Sequence, residues 1–349
     1  MFRKELVTSF GTSEIMGVQD RFSIEEYIIQ LKEEQPVVVF TDAHILTCHP
    51  WMEDLADIVI IPQGEESKSL SEIEKAAGQL IEMGLGRNGH LVSFGGGAVC
   101  DFTGFLASIY KRGISYSHIP TTLLAQVDAS IGGKNGVNIG ALKNMLGVFS
   151  APEKIIIEPS LTFTQEPADW ISGMAEVVKH SLIYDASLYD FLVENTQAIL
   201  TQNVELVSTM VLRALNVKLD VVSRDDKESG LRKLLNFGHS IGHAIERDGG
   251  YRHGEAVSIG MVAELQWAHN HSMGQTLGFS RAEALLQALG LPTKSSIQND
   301  QWKELLRADK KSDGQDIDMI LVEEVGRARV EKFTLDEVAS FFEERALHG

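Results

Sequence analysis

Hydrophobic positions fall along this chain in two textures. Up to about residue 160, short β-branched runs alternate with amphipathic stretches. Pro36-Val-Val-Val-Phe40, Ile58-Val-Ile-Ile61, His90-Leu-Val-Ser-Phe94, Ser117-His-Ile-Pro120 and Lys154-Ile-Ile-Ile157 read as strands. Leu70 to Met83, apolar at helical spacing, is the clearest helix among them. Strands apolar throughout their length and separated by helices predict a parallel sheet covered on both faces. Beyond residue 160 the pattern predicts helices: Ala168 to Ile183, Leu188 to Leu200, Val204 to Val222, His239 to Glu246, His253 to His271, Arg281 to Leu289 and Gln301 to Leu306. Asp and Gly fall between them as caps and breakers. Only Met319-Ile-Leu-Val322 and Arg329-Val330 look extended in the tail, as a small hairpin would. The expected architecture is α/β: a Rossmann-like nucleotide-binding domain with a parallel sheet over 1–160, then an all-helical domain over 161–349. No internal repeat or low-complexity segment interrupts it.

The stretch from Gly95 to Pro152 organises the rest. A strand runs straight into Gly95-Gly96-Gly97 and then Ala98-Val99-Cys100-Asp101. That is a βα turn whose backbone N–H groups can approach a pyrophosphate at a helix N-terminus. Ligands on parallel sheets bind at the carboxyl ends of strands, so Asp42, the loop from Gly64 to Lys68 and the Gly95 turn should line one edge. Taken singly, Asp42 and Lys68 read as turn and surface chemistry. The segment Ile131-Gly-Gly-Lys-Asn-Gly-Val-Asn138, followed by Lys143-Asn144, sets two lysines in glycine-rich, loop-like sequence, which suits anionic ligand groups.

Composition narrows the partners. A length of 349 residues suggests two domains or one large domain with a full-sized core, and 44% hydrophobic with 23% charged residues is ordinary for a globular protein. A net charge of -18 argues against nucleic acid or an anionic membrane surface, so an anionic substrate must meet a local cationic pocket. Two cysteines, Cys48 and Cys100, make no disulfide framework. No signal-peptide pattern opens the chain, no apolar run reaches membrane-spanning length, and a cytoplasmic location is expected.

The helical half carries candidate metal ligands. His239 and His243 stand four apart on one helix face, and His253 opens His253-Gly-Glu255. With no thiolates nearby, this would be a histidine and carboxylate site with one position open. Either both helix histidines are ligands, or one is a ligand and the other does proton chemistry beside it. Glu176 and Lys179, three apart among Met, Ala and Val, form a candidate buried pair, although spacing alone favours a surface pair. Lys218 and Arg232 could be plain solvated cations.

Together these motifs resemble the 3-dehydroquinate synthases, from about residue 36 to about 325. The resemblance is carried by Gly95-Gly-Gly-Ala-Val-Cys-Asp101, Pro120-Thr-Thr-Leu-Leu-Ala-Gln-Val-Asp-Ala-Ser130, Gly132-Gly-Lys134, Lys143-Asn144, Gly173-Met-Ala-Glu-Val-Val-Lys179, Leu235-Asn-Phe-Gly-His-Ser-Ile-Gly-His-Ala-Ile-Glu246, His253-Gly-Glu255 and Asp309-Lys-Lys311. It implies NAD and a sugar phosphate in the cleft between the domains. A divalent ion, zinc foremost and cobalt an alternative, would sit on Glu176, His239 and His253, with His243 the catalytic neighbour. NAD contacts would come from Asp42, Gly64, Glu65, Glu66, Ser67, Lys68, Gly97, Ala98, Val99, Cys100, Asp101, Thr121, Thr122, Lys134, Lys143, Leu161, Thr162, Phe163 and Thr164. The substrate, 3-deoxy-D-arabino-heptulosonate 7-phosphate, would meet Lys134, Asn144, Lys310 and a neighbouring subunit's Arg112 through its phosphate. Lys218, Arg232 and Asn236 would take its carboxylate, and Asp128 and Lys179 its hydroxyls. The reaction implied is a phosphate-eliminating cyclisation to 3-dehydroquinate in a homodimer, within the shikimate pathway of aromatic amino acid biosynthesis. Two rivals remain: a metal-dependent NAD alcohol or polyol dehydrogenase on the same architecture and a non-catalytic nucleotide-binding relative.

Overall fold

The computed structural model describes residues 2–140, 142–248, 250–271, 277–295, 304–306 and 316–344. The chain divides into two compact units, Met1–Gln165 and Glu166–Gly349.

The first unit runs β1 (Phe2–Thr8), β2 (Gly11–Gly17), α1 (Arg21–Glu34), β3 (Val37–Asp42), α2 (Ala43–Cys48), β4 (Asp57–Ile61), α3 (Leu70–Glu82), β5 (His90–Gly95), α4 (Gly97–Ile109), β6 (Ser115–Pro120), β7 (Lys134–Ile139), β8 (Leu142–Phe149) and β9 (Lys154–Ile157). Seven strands form one sheet in the order β1-β2-β9-β6-β5-β3-β4. All its pairings are parallel except β1 with β2. β3 shows why its run is apolar without alternation. Val38 and Phe40 pack with Ile73 and Leu80 of α3 and Phe102 of α4, while Val37 and Val39 pack with Ile24 and Ile28 of α1. Both faces of the sheet are therefore covered, as parallel sheets require. From β3 the chain moves out to the edge strand β4 and returns to β5 on the other flank of β3. This reversal puts the ligand-binding switch point at the ends of β3 and β5, where Asp42 and Gly95 lie.

Two hairpins depart from the reading of the sequence. β1 is largely exposed and pairs antiparallel with β2, so it carries almost no apolar signal. The glycine-rich segment read as loop is a second antiparallel hairpin, β7 with β8, in which Lys134 lies opposite Phe149 and Gly136 opposite Gly147. Lys134 opens one strand and Lys143 lies in the other. Backbone pairing, with β8 largely exposed, makes this element.

The second unit contains α5 (Pro167–Ile183), α6 (Ala186–Leu200), α7 (Val204–Arg224), a 3-10 turn Leu231–Asn236, α8 (His239–Asp248), α9 (His253–Asn270) and α10 (Leu277–Ala288). The hairpin of β10 (Asp316–Glu324) with β11 (Arg327–Thr334) takes up both extended stretches of the tail and is longer than they are, so among its described residues the unit is helical apart from this one sheet. Met319 and Leu321 of β10 enter the helical core beside Ile241, Ala263 and Trp267. A closing helix, Leu335–Glu344, goes unread in the sequence although Leu335, Val338, Ala339 and Phe342 repeat at helical spacing. Asp185 and Asn203 cap α6 and α7 by accepting the backbone N–H groups of Leu188 and Leu206. Among the described residues no helix is long and apolar enough to cross a membrane.

Candidate active site

In the second unit, α5 is buried from Gly173 to Ile183, and Glu176 within it is 0% exposed. A carboxylate at that depth demands charged partners. Lys179, one turn on and 1% exposed, makes ion-pair contact with its Oε2. His239 and His253 are the first residues of α8 and α9. Their Nε2 atoms lie 3.6 and 3.3 Å from Glu176 Oε1, and the three potential ligand atoms all fall within 4.8 Å of one another. Tetrahedral zinc bonds of about 2.0–2.2 Å put neighbouring ligand atoms about 3.3–3.6 Å apart, so the set fits a small divalent ion. The far ring nitrogens are also engaged. His239 Nδ1 lies 3.2 Å from Phe237 O, and His253 Nδ1 lies 3.5 Å from Glu246 Oε2. Such contacts leave Nε2 as the ligating nitrogen.

Protonation agrees with a cation site. Burial, with the Lys179 ammonium beside it, pushes His239 down to about 3, which keeps it in the neutral, ligating form. Burial also pushes His253 down, but hydrogen bonds and charge from Glu176 and Glu246 outweigh it and raise the group to about 9. The two nitrogens of the His253 ring lie between the carboxylates of Glu176 and Glu246. His243 is exposed, its ring nearly perpendicular to that of His239 with centroids 5.4 Å apart.

Lys218 on α7 and Arg232 on the 3-10 turn are 7% and 2% exposed, on elements that pack against α5. They are not solvated surface cations. Arg232 Nη1 donates to Asp226 O at 2.6 Å, and its amide donates to Asp225 Oδ2 at 2.9 Å. Asn236 Nδ2 donates to Glu228 Oε1 at 2.6 Å. Sequence reasoning missed Asp225, Asp226 and Glu228, because the run Asp225-Asp-Lys-Glu228 reads as a solvated loop. It also missed Glu246, although that residue ends one of the quoted motifs. Lys310 lies outside the described residues.

The first unit gathers the other candidates. Gly96 precedes α4 with no side-chain cap, so no side chain of the cap residue satisfies the first N–H groups of that helix, which begins directly after β5. The hydroxyls of Thr41 and Thr121, at the ends of β3 and β6, are buried with no hydrogen-bond partner among the described residues. A helix start without a side-chain cap and two orphan hydroxyls, all at the carboxyl ends of neighbouring strands, suit a bound pyrophosphate. Asp42 caps α2, accepting Ile45 N–H at 2.9 Å. Lys68 is 3% exposed, donating to Asp101 Oδ2 at 2.7 Å and Asn144 Oδ1 at 2.6 Å, so it is a buried hub and not surface chemistry. Burial pushes Asp101 up to about 6 against the pull of Lys68. Asn138, unassigned from sequence, donates to Glu65 Oε2 at 2.8 Å and accepts Asn144 N–H at 2.8 Å, tying the Gly64–Lys68 loop to the β7–β8 hairpin. Leu161 to Thr164 lie in a 3-10 turn, Pro159–Thr164, whose start is capped by Glu158. Asp128 lies in a π-helical turn, Ala125–Ala129, a distortion that recurs at functional sites. Lys134, Lys143 and Arg112 are exposed. Arg112 follows Lys111, and both are left-handed at φ 69° and 48°. Left-handed backbone at two such residues in succession costs of order 1–3 kcal/mol each.

Two family models, 3-dehydroquinate synthase N-terminal and 3-dehydroquinate synthase C-terminal, match residues 58–172 and 173–312. The 3-dehydroquinate synthase of Dictyoglomus turgidum is 41% identical over 303 residues, covering 82% of this chain and 84% of that protein. The 3-dehydroquinate synthase of Streptococcus mutans serotype c is 37% identical over 335 residues, covering 92% and 93%. Among solved structures, 2-deoxy-scyllo-inosose synthase complexed with carbaglucose-6-phosphate, NAD+ and Co2+ superposes with a TM-score of 0.87 at 24% identity, over 98% of this chain and 100% of that one.

Proposed function

This chain belongs to the 3-dehydroquinate synthase family, and from that premise we propose how its own residues carry the family's reaction. It is an NAD- and metal-dependent lyase that converts 3-deoxy-D-arabino-heptulosonate 7-phosphate to 3-dehydroquinate and phosphate. Bound NAD would supply reversible hydride acceptance at C5, and the divalent ion Lewis acidity at the hydroxyls there.

The ligands of the ion would be Glu176, His239 and His253. Lys179 neutralises Glu176 before the ion arrives and, with Asp128, orients the substrate hydroxyls. Lys218, Arg232 and Asn236 take the carboxylate, so the carbon that must lose a proton is held in one place. Lys134, Asn144 and Arg112 of a neighbouring subunit take the phosphate and stabilise its charge as the C7–O bond breaks. The C6 proton passes to an oxygen of the departing phosphate, with His243 holding the exchange at that point. The first unit would bind NAD through the start of α4, Thr121, Thr122, the Gly64–Lys68 loop, Asp101, Lys143 and Leu161 to Thr164. We place this activity in a cytoplasmic homodimer, where Cys48 and Cys100 remain free thiols.

The observation that carries this reading is the convergence of Glu176, His239 and His253 beside a buried lysine. Metal analysis of protein purified without added zinc tests it. Bound divalent metal is expected in the unsubstituted protein and absent from Glu176→Ala and His239→Ala; unchanged metal content in both variants excludes these ligands.

A further inference from the structure

Glu264 lies in the middle of α9, 0% exposed, on the same helix as His253 and with no role assigned to it above. A carboxylate buried that deeply in an apolar core costs several kcal/mol unless hydrogen bonds compensate. Its oxygens are aimed at two backbone amides of different elements: Oε1 accepts Gly238 N–H at 3.1 Å and Oε2 accepts Ile320 N–H of β10 at 3.2 Å.

The first of these amides decides the matter. Gly238 N–H and Phe237 C=O belong to one planar peptide group. Phe237 O is the atom that lies 3.2 Å from His239 Nδ1. The side chain of Glu264, the peptide and the imidazole therefore form one line: carboxylate, amide N–H, carbonyl, ring N–H, and finally Nε2 directed at Glu176. The backbone permits this arrangement only at glycine. Gly238 has φ +78°, and a β-carbon there would lie 2.6 Å from Val257 O on α9.

We propose that Glu264 is a positioning residue for His239, acting through the Phe237–Gly238 peptide to fix the orientation and raise the basicity of the imidazole. This rests on reading Glu176, His239 and His253 as metal ligands. A negative charge on the amide N–H polarises the peptide and makes its carbonyl a stronger acceptor. The stronger acceptor then holds Nδ1 protonated and enriches Nε2, as a directly bonded carboxylate does for a metal-bound histidine. The second amide gives the same carboxylate a hold on the β10–β11 hairpin, so the position of His239 is referenced to that sheet as well as to α9.

The test uses Co2+ as a probe. Metal-free protein and its Glu264→Gln variant, which keeps the side chain's size and removes its charge, are titrated with Co2+ against a chromophoric chelator. The visible spectra of the loaded proteins are recorded alongside. Co2+ binding about 10–100-fold weaker in the variant, with a displaced visible band, is the expected result. An affinity within about twofold of the unsubstituted protein and an identical band overturn the proposal, whatever happens to thermal stability. His239→Ala separates the layers. If it binds Co2+ as tightly as the unsubstituted protein, the metal reading falls and this inference with it; if it loses Co2+ while Glu264→Gln does not, only this inference falls. Should Glu264→Gln fail to fold, the unsubstituted protein labelled with 15N-glycine gives the answer. The Gly238 amide proton is expected far downfield and protected from exchange, and exchange at the rate of an open loop overturns the assignment.

Discussion

The amide of Gly254 donates to Ser172 Oγ at 2.9 Å, and the two backbones run so close that a β-carbon on Gly254 would lie 1.8 Å from Ser172 O. Ser172 stands one turn before Glu176 on α5, and Gly254 directly follows His253 on α9. This contact therefore sets the distance between two of the three proposed ligands. In Gly254→Ala the helices must separate, which costs about 3 kcal/mol and pulls His253 from Glu176. Denaturant unfolding of the metal-free protein and zinc content after dialysis measure both effects. Native stability with full zinc occupancy is incompatible with the contact as described.

A second prediction concerns acid. His118 is buried in β6, with Nδ1 2.7 Å from Ser93 Oγ, and burial lowers it from 6.5 to about 3. His90, in β5, is lowered by burial to about 4. Both rings stay neutral in the fold at pH values where the unfolded chain protonates them. Their contribution to stability is complete above pH 6.5 and is lost as the pH falls toward the folded values. Asp101, raised by burial to about 6, acts in the opposite sense, so the informative quantity is a difference between variants. His118→Gln should flatten the pH dependence of unfolding free energy below pH 6.5 by about 1.4 kcal/mol per pH unit. Parallel curves for the variant and the unsubstituted protein would remove His118 from the acid response.

Much of this was legible in the sequence because it rests on local pattern. β3, β5 and β9 are apolar runs with no polar alternation, which only a doubly covered sheet explains, and α5 and α9 show unbroken apolar stretches holding isolated charges. What was not legible depends on backbone pairing or on distant partners. β7 and β8 are held by backbone hydrogen bonds between glycine-rich strands, so side-chain periodicity says nothing of them. Lys68 reads as a surface lysine until Asp101 and Asn144, 33 and 76 positions away, close around it. Glu264 is one glutamate among many in an acidic chain, and only its depth and the peptide it holds distinguish it. Spacing alone left two arrangements of His239 and His243; the fold brings His253 to His239 and Glu176 and leaves His243 exposed.

Quaternary structure gives a further prediction. If Arg112 serves the phosphate of a neighbouring site, Arg112→Ala and Lys179→Ala homodimers are each inactive. Mixed and allowed to exchange subunits, they form heterodimers with one complete site: the Arg112→Ala subunit keeps Lys179 and borrows Arg112 from its partner. Activity should reappear in the mixture, read as phosphate release. No recovery after demonstrated subunit exchange would confine Arg112 to its own chain.

The most direct measurement follows inorganic phosphate and NADH absorbance together while protein carrying NAD and zinc is mixed with 3-deoxy-D-arabino-heptulosonate 7-phosphate. A hydride returned within each turnover predicts phosphate release in step with 3-dehydroquinate formation and no net NADH. Steady accumulation of NADH, with that substrate or with a simple polyol, and no phosphate released would contradict the assignment and make the protein a dehydrogenase.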